Sequence, residues 1–199
     1  MNTAKPRLWL LGDSIRMSYQ PIVARLLGER AEVVGPEENC QFALYTLSSL
    51  DRWLGVLGKP DVVHWNNGLH DAGFNPSRSP HQLPVADYAK NLECILDRLQ
   101  AMTRRVVWAT STPVGIERPF SDTAWSWKQG DPERYNDAAM SVMKKRNIPV
   151  NDLHAIIAAD LSAYLVEDRV HLTPAGQEKC AAAVVHAVTP LLAGAGVSG

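Results

Sequence analysis

Leu8-Trp9-Leu10-Leu11-Gly12-Asp13-Ser14-Ile15 is the stretch on which the fold turns. Four apolar residues in a row, without polar alternation, read as a strand buried on both faces. Gly12 closes the run. From Ile15 the apolar residues Ile22, Val23, Leu26 and Leu27 recur at helical spacing, which predicts a helix to Leu27. The Ser14 hydroxyl therefore stands at a helix N-terminus, where unpaired backbone N–H groups and the positive end of the dipole favour a developing negative charge. Taken alone, Ser14 reads better as an ordinary N-cap serine.

Outward from this unit the pattern repeats. Glu32–Val34 before Gly35-Pro36 reads as a second strand, and Leu44–Leu57 as a helix with Leu47, Leu50 and Leu54 on one stripe. Val62–Trp65 is a third strand, Asn66–Asp71 its exit loop, and Gly73–Pro84 a polar, Pro-rich surface excursion. Val85–Met102 is helical, Arg105–Ala109 is a fourth strand, and Thr110–Pro113 is its exit. Val114–Asp131 is long and irregular, and its Phe120, Trp125 and Trp127 suit a functional lid better than disorder. A helix over Pro132–Arg146 is expected to take Asp131 as N-cap, and Ile148–Asn151 to form the last strand. Thr173-Pro174 opens a final helix to about Leu192, and residues 194–199 are expected to form a frayed tail.

Strands alternating with helices predict an α/β fold, with one five-stranded parallel, doubly wound sheet over residues 1–199. Ligands in such folds bind outside the carboxyl ends of the strands. Gly12–Ser14, Pro36–Gln41, Asn66–Asp71 and Thr110–Pro113 then share one rim. No internal repeat and no phosphate-binding glycine motif is present.

With 199 residues, 46% hydrophobic, the chain has enough apolar material for one core, and 21% charged residues summing to -1 leave no basic stripe for nucleic acid. Cys40, Cys94 and Cys180 are odd in number and lack metal-binding spacing, so reduced thiols and a cytoplasmic location are expected. The N-terminus shows no secretory pattern, and no segment approaches the roughly 20 apolar residues of a membrane span.

Asp168-Arg169-Val170-His171-Leu172-Thr173-Pro174 changes the reading of Ser14. A serine nucleophile needs a base for its proton and a carboxylate to hold that base in the reactive tautomer. Asp and His three residues apart, just before a helix, supply both from one loop. The bland alternative is a surface loop ending in a Thr173 cap.

Together, Gly12-Asp13-Ser14-Ile15 and Asp168-x-x-His171 resemble the GDSL or SGNH hydrolase superfamily. The resemblance spans the domain in strand order and implies a flavodoxin-like three-layer α/β/α sandwich. It also implies an esterase with Ser14 as nucleophile, His171 as base and Asp168 as orienting acid, needing no cofactor or metal. Two middle blocks depart from the family. His70, in Gly68-Leu69-His70-Asp71, stands where an asparagine would donate to the oxyanion; an imidazole N–H can replace it, with Asn67 or Asn66 as alternatives. The second block has no glycine between Gly35 and Gly55, leaving the Cys40 backbone N–H as the expected donor. The expected oxyanion donors are thus Ser14, Cys40, His70 and Asn67.

Asp13 is a candidate brace for the Ser14 turn. Arg16 is a candidate contact to an anionic or polyhydroxylated substrate, against the alternative of a solvated helix arginine. Trp125 and Trp127 are candidates for stacking on a sugar or acyl group, against packing of the loop onto the core. His64, His81, His154 and His186 lack metal-ligand spacing. The mean hydropathy of -0.15 and the polar lid suit a short acyl group rather than a lipid. The expected partner is a small-molecule or saccharide ester, with an acetyl ester of a carbohydrate as the first expectation. Acyl transfer, thioester hydrolysis with the same residues, and a non-catalytic binding module are the alternatives. Nothing in the sequence sets an oligomeric state.

Overall fold

The computed structural model describes residues 5–74, 81–115 and 126–194. Trp125, most of the expected lid and residues 195–199 lie outside them.

Five strands, β1 (Arg7–Leu11), β2 (Glu32–Val34), β3 (Val62–Trp65), β4 (Val106–Ala109) and β5 (Val150–Asn151), pair in parallel in the order β2-β1-β3-β4-β5. The long helices are α1 (Ser14–Leu27), α2 (Ala43–Leu57), α4 (Val85–Met102), α5 (Asp131–Lys145) and α8 (Pro174–Ala193). Three short ones, α3 (Leu69–Ala72), α6 (Leu153–Ala158) and α7 (Leu161–Tyr164), sit at strand exits and in the last crossover. After β2 the chain returns across β1 to build β3, so the order reverses beside β1. A doubly wound sheet opens a crevice at that switch point, at the carboxyl ends of its strands.

Apolar runs without alternation follow from burial on both faces. Trp9, Leu11, Val63, Trp65, Val106 and Trp108 enter one core beneath α2, α4 and α5. Leu8, Leu10, Val62 and Ala109 enter the other, beneath α1 and α8. Alternate residues of one strand thus serve opposite layers, and the strand indoles Trp9, Trp65 and Trp108 fill the first together with Trp53 of α2. His64 is buried in the sheet with Nε2 3.0 Å from the Asn151 amide, and burial pushes its imidazole down to about 4, leaving it neutral.

Local readings changed in three places. The exit loop Asn66–Asp71 contains the helical turn α3. Gly130, in the left-handed region at φ 81°, caps α5, while the expected cap Asp131 lies inside the first turn. Its carboxylate is drawn instead to His81 Nε2 at 2.9 Å and to Arg134 at 3.1 Å. The stretch between β5 and α8, left unassigned from sequence, holds α6 and α7. They are too short for periodicity to register, yet Asp152 and Asp160 cap them by accepting the Ala155 and Ala163 N–H groups at 3.1 and 3.0 Å.

Candidate active site

The first wall of the site grows from the end of β1. A Cβ at Gly12 would stand 2.8 Å from the Cβ of Arg16, so only glycine lets the strand turn this tightly into α1. Asp13, buried, accepts the Ile15 N–H at 2.9 Å and is the N-cap. Ser14 is therefore the first helical residue, and its hydroxyl is not used as a cap.

The second wall comes from the far end of the chain. α8 lies along α1, and the loop before it folds over the Ser14 turn. Within that loop Asp168 Oδ1 accepts the Val170 and His171 N–H groups at 2.8 and 2.9 Å, while Oδ2 lies 2.6 Å from His171 Nδ1. Arg169, at φ 62°, makes the reversal that lets one carboxylate reach both backbone and ring. Burial works to raise the Asp168 carboxyl, but the hydrogen bonds from the His171 backbone and ring and from Val170 N–H outweigh it and hold it below the usual carboxylate range. His171 Nε2 reaches Ser14 Oγ at 2.9 Å. Hydroxyl, imidazole and carboxylate thus form one hydrogen-bonded chain across residues 157 positions apart.

A cavity of about 500 Å³ opens beside Ser14 and His171. Its walls are Asn39, Gln41 and Phe42 from the β2–α2 loop, Leu69 and His70 from α3, and Gln82, Trp127 and Val170. The Trp127 indole N–H donates to Leu69 O at 2.7 Å, fixing the ring against the rim. Among the described residues no group of three or more His, Cys, Asp or Glu could hold a metal ion, and no helix is long and apolar enough to cross a membrane.

Of the expected oxyanion donors, Ser14 and His70 line this cavity. Cys40 and Asn67 do not. The Cys40 N–H already donates to Gly12 O at 3.2 Å, and its side chain is fully buried, so its expected role is corrected to that of an anchor. Asn67 is buried, with Nδ2 donating to Gln41 O at 2.9 Å and Oδ1 accepting the Trp65 indole at 2.7 Å. Both ends of that amide hold the exit of β3 to the neighbouring loop. Asn66 likewise turns inward, donating to Ala109 O at 2.7 Å.

Arg16 is neither a substrate contact nor a solvated helix residue. It is 3% exposed and donates to Pro36 O at 3.0 Å and Glu38 O at 2.9 Å, with Gln20 Oε1 at 2.8 Å. The guanidinium satisfies the carbonyls of a loop that lacks secondary structure, which is why a charge can be buried here.

Sequence reasoning missed Asn39, Gln41, Phe42, Leu69, Gln82 and Val170 at the cavity, and also Asp71 below it. Asp71 is fully buried; Oδ1 accepts the Ala43 N–H at 2.8 Å and caps α2 from a distant element, because Phe42 at the N-cap position offers no side-chain acceptor. Burial pushes its carboxyl up to about 7. The Pro36–Gln41 and Asn66–Asp71 segments were placed on the rim from sequence, but which of their side chains face inward depends on backbone turns such as Gln41 at φ 50°.

A model of the GDSL-like lipase/acylhydrolase family matches residues 10–179. A lipase/acylhydrolase from Enterococcus faecalis superposes with a TM-score of 0.75 at 20% identity, over 93% of this chain and 96% of that one. An alpha/beta hydrolase enzyme from the metagenome of Lake Arreo, Spain, gives 0.73 at 18% identity, over 95% and 97%. An acetyl xylan esterase, AlAXEase, gives 0.68 at 19% identity, over 92% and 99%. No curated protein matches the sequence.

Proposed function

The chain belongs to the GDSL-like lipase/acylhydrolase family and is an ester hydrolase, and on that footing we propose that Ser14, His171 and Asp168 perform its chemistry on short acyl esters. The observation that carries this reading is the unbroken chain from Ser14 Oγ through both ring nitrogens of His171 to Asp168 Oδ2, at 2.9 and 2.6 Å.

In this mechanism Ser14 Oγ attacks the ester carbonyl as His171 Nε2 takes its proton. Asp168, held as a carboxylate, accepts from Nδ1–H, which presents Nε2 as the base and steadies the imidazolium. The Ser14 N–H, a first-turn donor without an intrahelical acceptor, and His70 stabilise the tetrahedral oxyanion. His171 then protonates the departing alcohol, and water, activated by the same imidazole, releases the acid from Ser14.

The cavity wall supports a polar alcohol. Asn39, Gln41 and Gln82 offer uncharged donors and acceptors to hydroxyl groups, His70 adds an imidazole, and Trp127 offers a ring that can pack on a sugar face. An acetyl ester of a carbohydrate is the substrate class that suits this wall, and one structural neighbour is named an acetyl xylan esterase. The test is turnover of p-nitrophenyl acetate and of acetylated sugars by Ser14→Ala. A loss on the order of 10⁴–10⁶-fold with unchanged folding is expected; near-wild-type turnover removes Ser14 from the reaction.

A further inference from the structure

In the loop that approaches Ser14 from β2, the backbone N–H groups of Cys40 and Gln41 are already committed to acceptors within the protein. Cys40 N–H donates to Gly12 O at 3.2 Å, and Gln41 N–H donates to the side-chain oxygen of Asn39 at 2.7 Å. An oxyanion hole formed only by Ser14 N–H and His70 has no donor from this side. Asn39 and Gln41 are the residues of this loop whose side-chain amides line the cavity, and Asn39 is the one whose amide is fixed in orientation.

A backbone N–H can only donate, so the Asn39 atom that receives Gln41 N–H is the carbonyl oxygen. This fixes which way the amide faces and leaves its NH2 on the opposite side. Among the described residues nothing accepts from that NH2, although the side chain lines the cavity together with Ser14 and His171. The loop is also held stiffly on both sides of it. Glu38, the preceding residue, gives its backbone oxygen to Arg16 at 2.9 Å and its carboxylate to Tyr45 and Trp53 at 2.6 and 2.7 Å. Cys40, the following residue, is buried with its sulfur 3.8 Å from the Arg16 guanidinium. A donor held by its surroundings before the reaction costs little reorganisation when charge develops, which is the condition for useful oxyanion stabilisation.

We propose that Asn39 is a catalytic residue whose Nδ2–H donates to the oxyanion, a side-chain amide taking the place of the backbone N–H that this loop has turned inward. The inference rests on Ser14 being the nucleophile. The two can fail separately.

The test compares Asn39→Asp with Asn39→Ala on p-nitrophenyl acetate, alongside fluorophosphonate labelling of the wild-type enzyme and melting curves of all three proteins. Asn39→Asp keeps the acceptor for Gln41 N–H, and so the turn, but replaces the donor with an oxygen that repels the oxyanion. Its kcat is expected to fall about 10²–10³-fold, at a KM within about threefold of wild type and an unchanged melting temperature. Asn39→Ala should lose kcat as well and, lacking the turn acceptor, also melt lower. Labelled wild-type protein together with Asn39→Asp turnover within about threefold of wild type overturns the role of Asn39 alone. So does a loss carried by KM, or one accompanied by a lower melting temperature in Asn39→Asp. Failure of the wild type to label at Ser14 overturns the nucleophile on which both readings stand.

Discussion

Replacing Asp71 by Asn is expected to remove a pH dependence of stability that the wild-type chain carries in the buried first turn after β3. The carboxyl group is fully buried, one oxygen accepts Ala43 N–H, and the other has no partner among the described residues. Burial lifts it from the ordinary 3.8 to about 7, so between those values the folded chain retains a proton that the unfolded chain has released. More protons bound in the folded state means that stability falls as pH rises. The contribution is complete below 3.8 and has gone once the pH passes about 7. Between pH 5 and pH 8 this amounts to about 3 kcal/mol, at about 1.36 kcal/mol per pH unit up to the folded value near 7. Asn keeps a carbonyl oxygen for Ala43 N–H and does not ionise. It also places an NH2 where an oxygen had no partner, costing about 1–3 kcal/mol. That cost is the same at every pH and cancels when the variant is compared with wild type across the range. Urea unfolding followed by tryptophan fluorescence at pH 5, 6, 7 and 8 measures it directly. The stability of Asp71→Asn relative to wild type should rise by about 3 kcal/mol over this interval, or about 6–12 °C in melting temperature for a chain of this size. Parallel stability curves for the two proteins would refute the reasoning, because they would mean that the buried carboxyl titrates alike in both states.

Arg16→Met should lower stability by about 2–4 kcal/mol, since hydrogen bonds to a charged group contribute about 1.5–3 kcal/mol each and their loss strands the carbonyls of Pro36 and Glu38. A raised KM with unchanged urea unfolding would point instead to a substrate contact. Trp127→Ala should raise KM for acetylated sugars about tenfold while leaving p-nitrophenyl acetate turnover within about threefold, because stacking is available only to the larger alcohol. Equal losses on both substrates would assign Trp127 to packing of the rim.

Much of this molecule was legible before its coordinates. The apolarity of Leu8–Leu11, of Val106–Ala109 and, His64 apart, of Val62–Trp65 identifies central strands of a parallel sheet, because burial on both faces leaves little room for polar residues. Ser14, Asp168 and His171 were legible as residue types in order along the chain, and their chemistry restricts what such a set can do. The short helices α6 and α7 escaped because four to six residues are too few for a period of 3.6 to show. Their capping aspartates were the only signal. Asp131 misled for the opposite reason: a good capping residue was drawn to His81, 50 positions away.

What the linear chain determined by itself was local: which segments become strands, which become long helices, and where a serine, an aspartate and a histidine stand in order along it. What only the tertiary structure decided was direction. Whether Cys40 N–H faces the reaction or Gly12 O, whether Arg16 reaches out to solvent or back beneath its own loop, and which amides line the cavity all depend on contacts between loops separated by tens of residues. Hydrophobic periodicity reports burial against an element as a whole. The aim of a single N–H group is set by whichever acceptor the folded chain brings within reach, and that acceptor carries no mark in the neighbouring sequence.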